Sequence, residues 1–195
     1  VPSPDIVGIL LAAGSGSRFG ADKLLHPLLT GVPIALTAAR QLRGVLPRCV
    51  AVVRPGADQL AGLLRAEGFE VVTCANAQEG MGASLACAVG AAGDAAGYLV
   101  ALADMPFIRT STLEAVRDAL AGGASLVAPY FRTRRGHPVG LSGRHRQALL
   151  AATGDEGARQ LLSEQGATLI KVPVGDPGVI RDIDTPGDLA PPVQA

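Results

Sequence analysis

The feature that most constrains the fold is an apolar run, residues 6–10, passing directly into Leu11-Ala12-Ala13-Gly14-Ser15-Gly16-Ser17-Arg18-Phe19-Gly20-Ala21-Asp22-Lys23. The run reads as the first strand of a parallel sheet. Gly14, Gly16 and Gly20 let the backbone turn tightly and aim its N–H groups at an anion, while Arg18 and Lys23 add two cations over the same span. Strand, glycine loop, basic residues and a helical stretch are what a phosphate-bearing ligand requires. Neither common nucleotide loop fits. A dinucleotide-binding loop wants glycine where this chain has Phe19, and a P-loop wants Ser or Thr where it has Leu24.

Beyond the loop, strands and helices alternate. The patterning predicts strands over 48–53, 69–74, 98–103, 125–129 and 168–172, the last at an edge. Helical spacing covers 34–42, with Pro33 as the first helical residue and Gly44 as its stop, and 59–66, stopping at Gly68. Further helices are expected over 84–89, 111–120 (Ser111 and Glu114 forming a capping box), 142–152 and 157–164. Thr185, Pro186 and Asp188 read as the first turn of a terminal helix. This order calls for an α/β chain, a three-layer αβα Rossmann-like fold with a mostly parallel central sheet and its ligand crevice at the carboxyl ends of the strands. At 195 residues it suits a single domain, 1–195.

Composition narrows the function. Lys plus Arg equals Asp plus Glu, 17 each, which argues against broad electrostatic binding of nucleic acid. Cys49, Cys74 and Cys87 form no CxxC pair, so a disulfide scaffold or structural zinc site is not expected and a reducing, cytoplasmic setting is. No stretch has the length of a membrane span, and residues 1–13 lack the pattern of a signal peptide.

Two acidic stretches and two further loops carry chemistry. Asp104 follows the apolar strand 98–103, where a rigidly placed carboxylate suits Mg²⁺; the alternative is a cap on the segment that follows. In Ile180-Arg181-Asp182-Ile183-Asp184-Thr185-Pro186-Gly187-Asp188-Leu189, an inward Ile183 puts Asp182 and Asp184 on the opposite face. Asn76-Ala77-Gln78-Glu79-Gly80-Met81-Gly82-Ala83-Ser84-Leu85 is a polar glycine loop opening a helix. Gly80 and Gly82 permit backbone approach to a flat ligand, Ser84 is either ligand or N-cap, and Met81 reads as packing. Arg54 faces either nucleotide or solvent. Arg132, Arg134 and Arg135 suit a terminal phosphate. Residues 136–142 and 153–159 complete the set; His26, His137 and His145 show no metal-ligand spacing, and His145 reads as ordinary surface.

The pattern Leu-Ala-Ala-Gly-x-Gly-x-Arg-Phe-Gly-x-x-Lys, with matches reaching residue 189, resembles the MobA-like nucleotidyltransferases, and within them the molybdenum cofactor cytidylyltransferases. The resemblance implies transfer of CMP from CTP to the terminal phosphate of the molybdopterin cofactor, with pyrophosphate released and Mg²⁺ required. It implies catalytic roles for Lys23, Arg18 and Asp104. Nucleotide contacts fall to Leu11, Ala12, Ala13, Gly14, Ser15, Gly16, Arg54, Asn76, Gly80, Gly82 and Ser84. The second metal carboxylate carries over to Asp184, with Asp182 as fallback. Acceptor contacts fall to Arg134, Arg135, Gly136, His137, Pro138, Gly154, Asp155 and Arg159. On this basis residues 6–107 form the nucleotide-binding part and 108–190 the acceptor-binding part, with an apo-molybdoenzyme of the hydroxylase type as a further partner. Alternatives are another phosphorylated acceptor or GTP, a nicotinamide-dependent oxidoreductase, and a non-catalytic carrier of the cofactor.

Overall fold

The computed structural model describes residues 5–14, 19, 22–154 and 168–190. Strand β1 (Ile6–Ala12) lies mid-sheet, paired in parallel with β2 (Cys49–Val53) on one side and β4 (Gly97–Leu102) on the other. Its alternate side chains feed two cores. Ile6, Leu10 and Ala12 join α1 (Ile34–Val45), α2 (Asp58–Ala66) and α4 (Thr110–Ala121), while Val7, Ile9 and Leu11 join α3 (Met81–Ala92) and α5 (Arg146–Leu150). A sheet covered on both faces has no polar face to show, which is why β1, β2 and β4 are almost wholly apolar. Gly8 marks a close approach, since a Cβ there would stand 2.7 Å from the Cys49 sulfur and against Leu42 of α1.

β3 (Glu70–Thr73) extends the parallel set beyond β2, and β5 (Leu126–Phe131) pairs in parallel with β8 (Leu169–Pro173). Two strands fall outside the sequence pattern. β6 (Arg134–Arg135) forms a hairpin with β5, and β7 (Val139–Ser142) runs antiparallel between β4 and β5. The order β3-β2-β1-β4-β7-β5-β6, with β8 on β5, is the expected largely parallel three-layer architecture. The chain leaves β1 toward β2 and β3, then returns to place β4 on the other flank. That reversal opens a crevice at the carboxyl ends of β1 and β4.

Several local expectations need correction. α1 runs through Gly44 to Val45, and Pro33 caps it from outside in extended geometry. α3 begins at Met81, so Ser84 lies inside the helix and is no N-cap. α4 begins at Thr110 with no side-chain cap from its own first turn, so Ser111 and Glu114 form no capping box. In place of one helix over 142–152 stand the end of β7, a 3-10 turn at Gly143–His145 and the short α5. The helix expected over 157–164 lies outside the described residues. Among the described residues, no helix is long and apolar enough to cross a membrane.

Candidate functional site

The crevice holds a cavity of about 590 Å³. Leu11, Ala13 and Gly14 from the end of β1, Leu102 and Asp104 from the end of β4, and Arg54 and Pro55 beyond β2 line it, with Ala77, Gln78, Gly80, Met81 and Ser84 closing one side. Lys23 opens a 3-10 turn (Lys23–Leu25) and is only 8% exposed, one of the few buried charged side chains among the described residues. Its Nζ donates to Asp104 Oδ2 at 2.9 Å and to Asp184 Oδ1 at 3.4 Å. The two ends of the chain's chemistry therefore meet at one ammonium.

Among the described residues Asp104 caps nothing through its side chain; its backbone carbonyl accepts the Ile183 N–H at 2.9 Å. Ile183 is fully buried against Phe19, Leu28 and Ile34, so Asp182 and Asp184 turn the other way. One oxygen from each of Asp104, Asp182 and Asp184 lies within 4.8 Å of the others. An all-oxygen, all-carboxylate donor set of that size fits a hard divalent cation such as Mg²⁺ or Mn²⁺. Asp188 has a different task. Its carboxylate accepts the Thr185 N–H and hydroxyl, both at 2.8 Å, and the Asp184 N–H at 3.3 Å, closing a capping box on the 3-10 turn Pro186–Leu189. Those Thr185 donors hold its pKa below the usual carboxylate range. Burial pulls the Lys23 pKa down, but the Asp104 charge and the hydrogen bonds to Asp104 and Asp184 outweigh it and hold the pKa above its ordinary value.

Of the residues expected to meet nucleotide, Leu11, Ala13, Gly14, Arg54, Gly80 and Ser84 do line the cavity. Ala12 does not; it is buried on the opposite face of β1. Asn76 is turned away, its amide nitrogen on Glu79 at 3.2 Å and its oxygen accepting from Cys74 at 3.2 Å. Gly82 makes its close approach to protein rather than ligand, since a Cβ there would meet the Thr153 carbonyl oxygen at 2.5 Å. Gln78 and Met81 were missed as liners. Met81, read as packing, is 42% exposed and faces the cavity. Arg54 reaches both flanks of the signature loop, 3.5 Å from the Gly14 carbonyl and 3.5 Å from Asp22. Ser15, Gly16 and Arg18 lie outside the described residues.

On the other side, Arg134 and Arg135 are exposed on β6, and Arg132 at the hairpin bend has a left-handed backbone, φ 56°. Gly136 packs against the Val179 backbone, where a side chain would collide, and the His137 N–H donates to the Val179 carbonyl at 2.9 Å. The His137–Pro138 peptide is cis. His137 Nδ1 is buried without a hydrogen-bond partner among the described residues. Burial and the Arg135 charge push its pKa down to about 4, against the opposing pull of the Val100 carbonyl and Asp182. It is neutral at physiological pH. His145 is buried rather than on the surface, its Nε2 2.7 Å from the Ser125 hydroxyl. Gly154 has φ 65°; Asp155 and Arg159 lie outside the described residues.

The family model for the MobA-like NTP transferase domain matches residues 8–169, from inside β1 to the first residue of β8. The chain belongs to the MobA-like NTP transferase family. With that membership comes the nucleotidyltransferase class of enzyme. Relatives within reach differ in what they are named for. The nicotine blue oxidoreductase of Paenarthrobacter nicotinovorans is 30% identical over 93% of this chain and 93% of its own length. The bifunctional protein GlmU of Cereibacter sphaeroides is 39% identical over 66% of this chain, which spans only 29% of that longer protein. In fold, the chain is similar to the crystal structure of Rv0371c from Mycobacterium tuberculosis H37Rv, with a TM-score of 0.83, 24% identity, and 94% and 95% of the two chains covered. The latter similarity concerns architecture alone.

Proposed function

We propose that the chain transfers a nucleotidyl group from a nucleoside triphosphate to the terminal phosphate of a small phosphorylated acceptor, and that its own reaction joins CMP from CTP to the molybdopterin cofactor. The observation that carries this reading is the Lys23 ammonium bridging Asp104 and Asp184 on the wall of the cavity. An oxygen of the acceptor phosphate attacks the α-phosphorus in line. The bond from that phosphorus to its β-bridging oxygen breaks, and the electron pair leaves with pyrophosphate. A phosphate monoester loses its second proton near pH ~6, so the nucleophile is already anionic and needs no base.

Charge is then the main obstacle. Lys23 offsets the charge that develops on the transferred phosphoryl group, while Arg18 and the loop N–H groups take the β- and γ-phosphates. Asp104 and Asp184, with Asp182 beside them, would hold Mg²⁺, which when bound neutralises the triphosphate. Gln78, Met81 and Ser84 offer the base a mixed polar and apolar wall. The acceptor belongs against Arg134, Arg135, Gly136, His137, Pro138, Gly154, Asp155 and Arg159. In this scheme residues 6–107 serve the nucleotide and 108–190 the acceptor.

The test is pyrophosphate release with each of the four ribonucleoside triphosphates, using molybdopterin and other phosphorylated acceptors. CTP is expected to win over GTP because the Ala13 methyl narrows the cavity, and steric exclusion of a purine is worth tens-fold to hundreds-fold (about 2–3 kcal/mol) in kcat/KM. Ala13→Gly should move the ratio toward GTP. Equal use of GTP by the wild type would sink the cytidylyl assignment, and release with a different acceptor only would reassign the substrate. A second reading, nicotinamide-dependent hydride transfer, draws on the likeness to nicotine blue oxidoreductase across 93% of both chains. It has no use for three clustered carboxylates.

A further inference from the structure

Helix α4 starts with no side-chain cap from its own first turn, although Ser111 is at hand. The donors there are taken by a residue far along the chain. The Arg109 N–H and the Thr112 hydroxyl both donate to Asp176 Oδ2, at 2.8 and 2.7 Å, and the Gly178 N–H donates to Oδ1 at 3.0 Å. Asp176 is 2% exposed and Thr112 3%. A carboxylate is costly to bury, so three converging donors at this point indicate a position held under tight constraint.

The two segments joined there are those that carry the acids. Residues 104–109 run from Asp104 to the start of α4, and residues 176–184 run from Asp176 to Asp182 and Asp184. They touch again at three places. Gly178 lies on the Phe107 carbonyl so closely that a Cβ would collide with it. Arg181 stacks over the Phe107 ring at 5.6 Å. The Ile183 N–H donates to the Asp104 carbonyl at 2.9 Å. Asp176 is the charged clasp at one end of this ladder, and the acid cluster is at the other.

We propose that Asp176 is a positioning residue for metal binding: by fixing residues 176–184 against the start of α4, it sets the separation of Asp182 and Asp184 from Asp104. The proposal rests on the reading of those three acids as a metal site. A helix cap alone predicts lost stability with unchanged metal affinity; a positioning role predicts weakened metal affinity in a folded protein.

The experiment is Mn²⁺ titration of the full chain, followed by the electron paramagnetic resonance of free Mn²⁺, well below the unfolding temperature. Asp176→Asn is expected to weaken Mn²⁺ binding about tenfold or more, the scale seen when a group supporting metal ligands is lost. Thr112→Val, which removes one bond of the three, should give a smaller loss, and Thr112→Ser should restore wild-type affinity. CTP binding without metal should change less than about twofold, because the cavity is walled by other elements apart from Asp104. A folded Asp176→Asn protein with wild-type Mn²⁺ affinity overturns the proposal, as does equal weakening of metal-free CTP binding. If Asp176→Asn does not fold, Thr112→Val decides, and Mn²⁺ affinity equal to that of Thr112→Ser overturns it. Mn²⁺ binding that Asp104→Asn leaves intact removes the metal-site reading itself; binding lost in Asp104→Asn but kept in Asp176→Asn removes only the positioning role.

Discussion

Lys23 is already engaged with the acids that would receive a metal ion, at 2.9 Å from Asp104 and 3.4 Å from Asp184. Its removal therefore acts in two directions. Lys23→Ala should lower nucleotidyl transfer at least ~100-fold, the scale for losing one preorganised charge contact. The same change should tighten Mn²⁺ binding in the absence of nucleotide, because the carboxylates lose their internal counter-ion. Steady-state pyrophosphate release and Mn²⁺ titration read the two effects; near-normal turnover in a folded variant would take Lys23 out of the mechanism. This part of the site was legible because each residue had a local reason to be where it is: a lysine closing a glycine loop, an acid directly after a buried strand, and two acids alternating about an inward isoleucine. What stayed hidden depended on side-chain partners, near or distant in sequence, that no motif announces. Asn76 is drawn off by Cys74 and Glu79, and Met81 is left 42% exposed on the wall of the cavity. Asp176 sits among no recognisable motif, and its role exists only through Arg109 and Thr112.

At the scale of elements, the parallel strands and their helices could be read from apolar runs and glycine stops, whereas β6 and β7 could not. Val139-Gly140-Leu141-Ser142 is short, holds a glycine and follows a run of Arg, Gly, His and Pro, so nothing in it outweighs a loop. Its strand character comes from being zipped between β4 and β5 on both edges. Helix α3 was read as starting three residues too late for a related reason. Gly80 and Gly82 look like breakers, yet Gly82 is the contact that lets the helix start press on the Thr153 backbone. Gly82→Ala should cost about 1–3 kcal/mol as an overpacked contact. Gly90→Ala, where the added Cβ meets only Leu150 Cδ2 at 3.8 Å, should stabilise by about 0.4–1 kcal/mol. Urea unfolding of the pair measures both; equal effects would mean that the Thr153 segment yields.

For the molecule as a whole, the cavity draws its wall from β1, β4, the turn after β2 and the start of α3, so a ligand there braces elements from both halves of the parallel sheet. At a hundredfold excess over Kd, binding adds about 2.7 kcal/mol to stability, a rise in Tm of roughly 5–10 °C for a chain of this size. CTP with Mg²⁺ should produce that shift and reduced nicotinamide dinucleotide should not; the reverse result would favour hydride transfer over nucleotidyl transfer. The sheet order also has a temporal side. Every described residue that lines the cavity lies at or before residue 104, whereas Asp182 and Asp184 follow nearly 80 residues later. A growing chain thus makes the wall of the cavity, Asp104 included, well before the two carboxylates that complete the acid cluster.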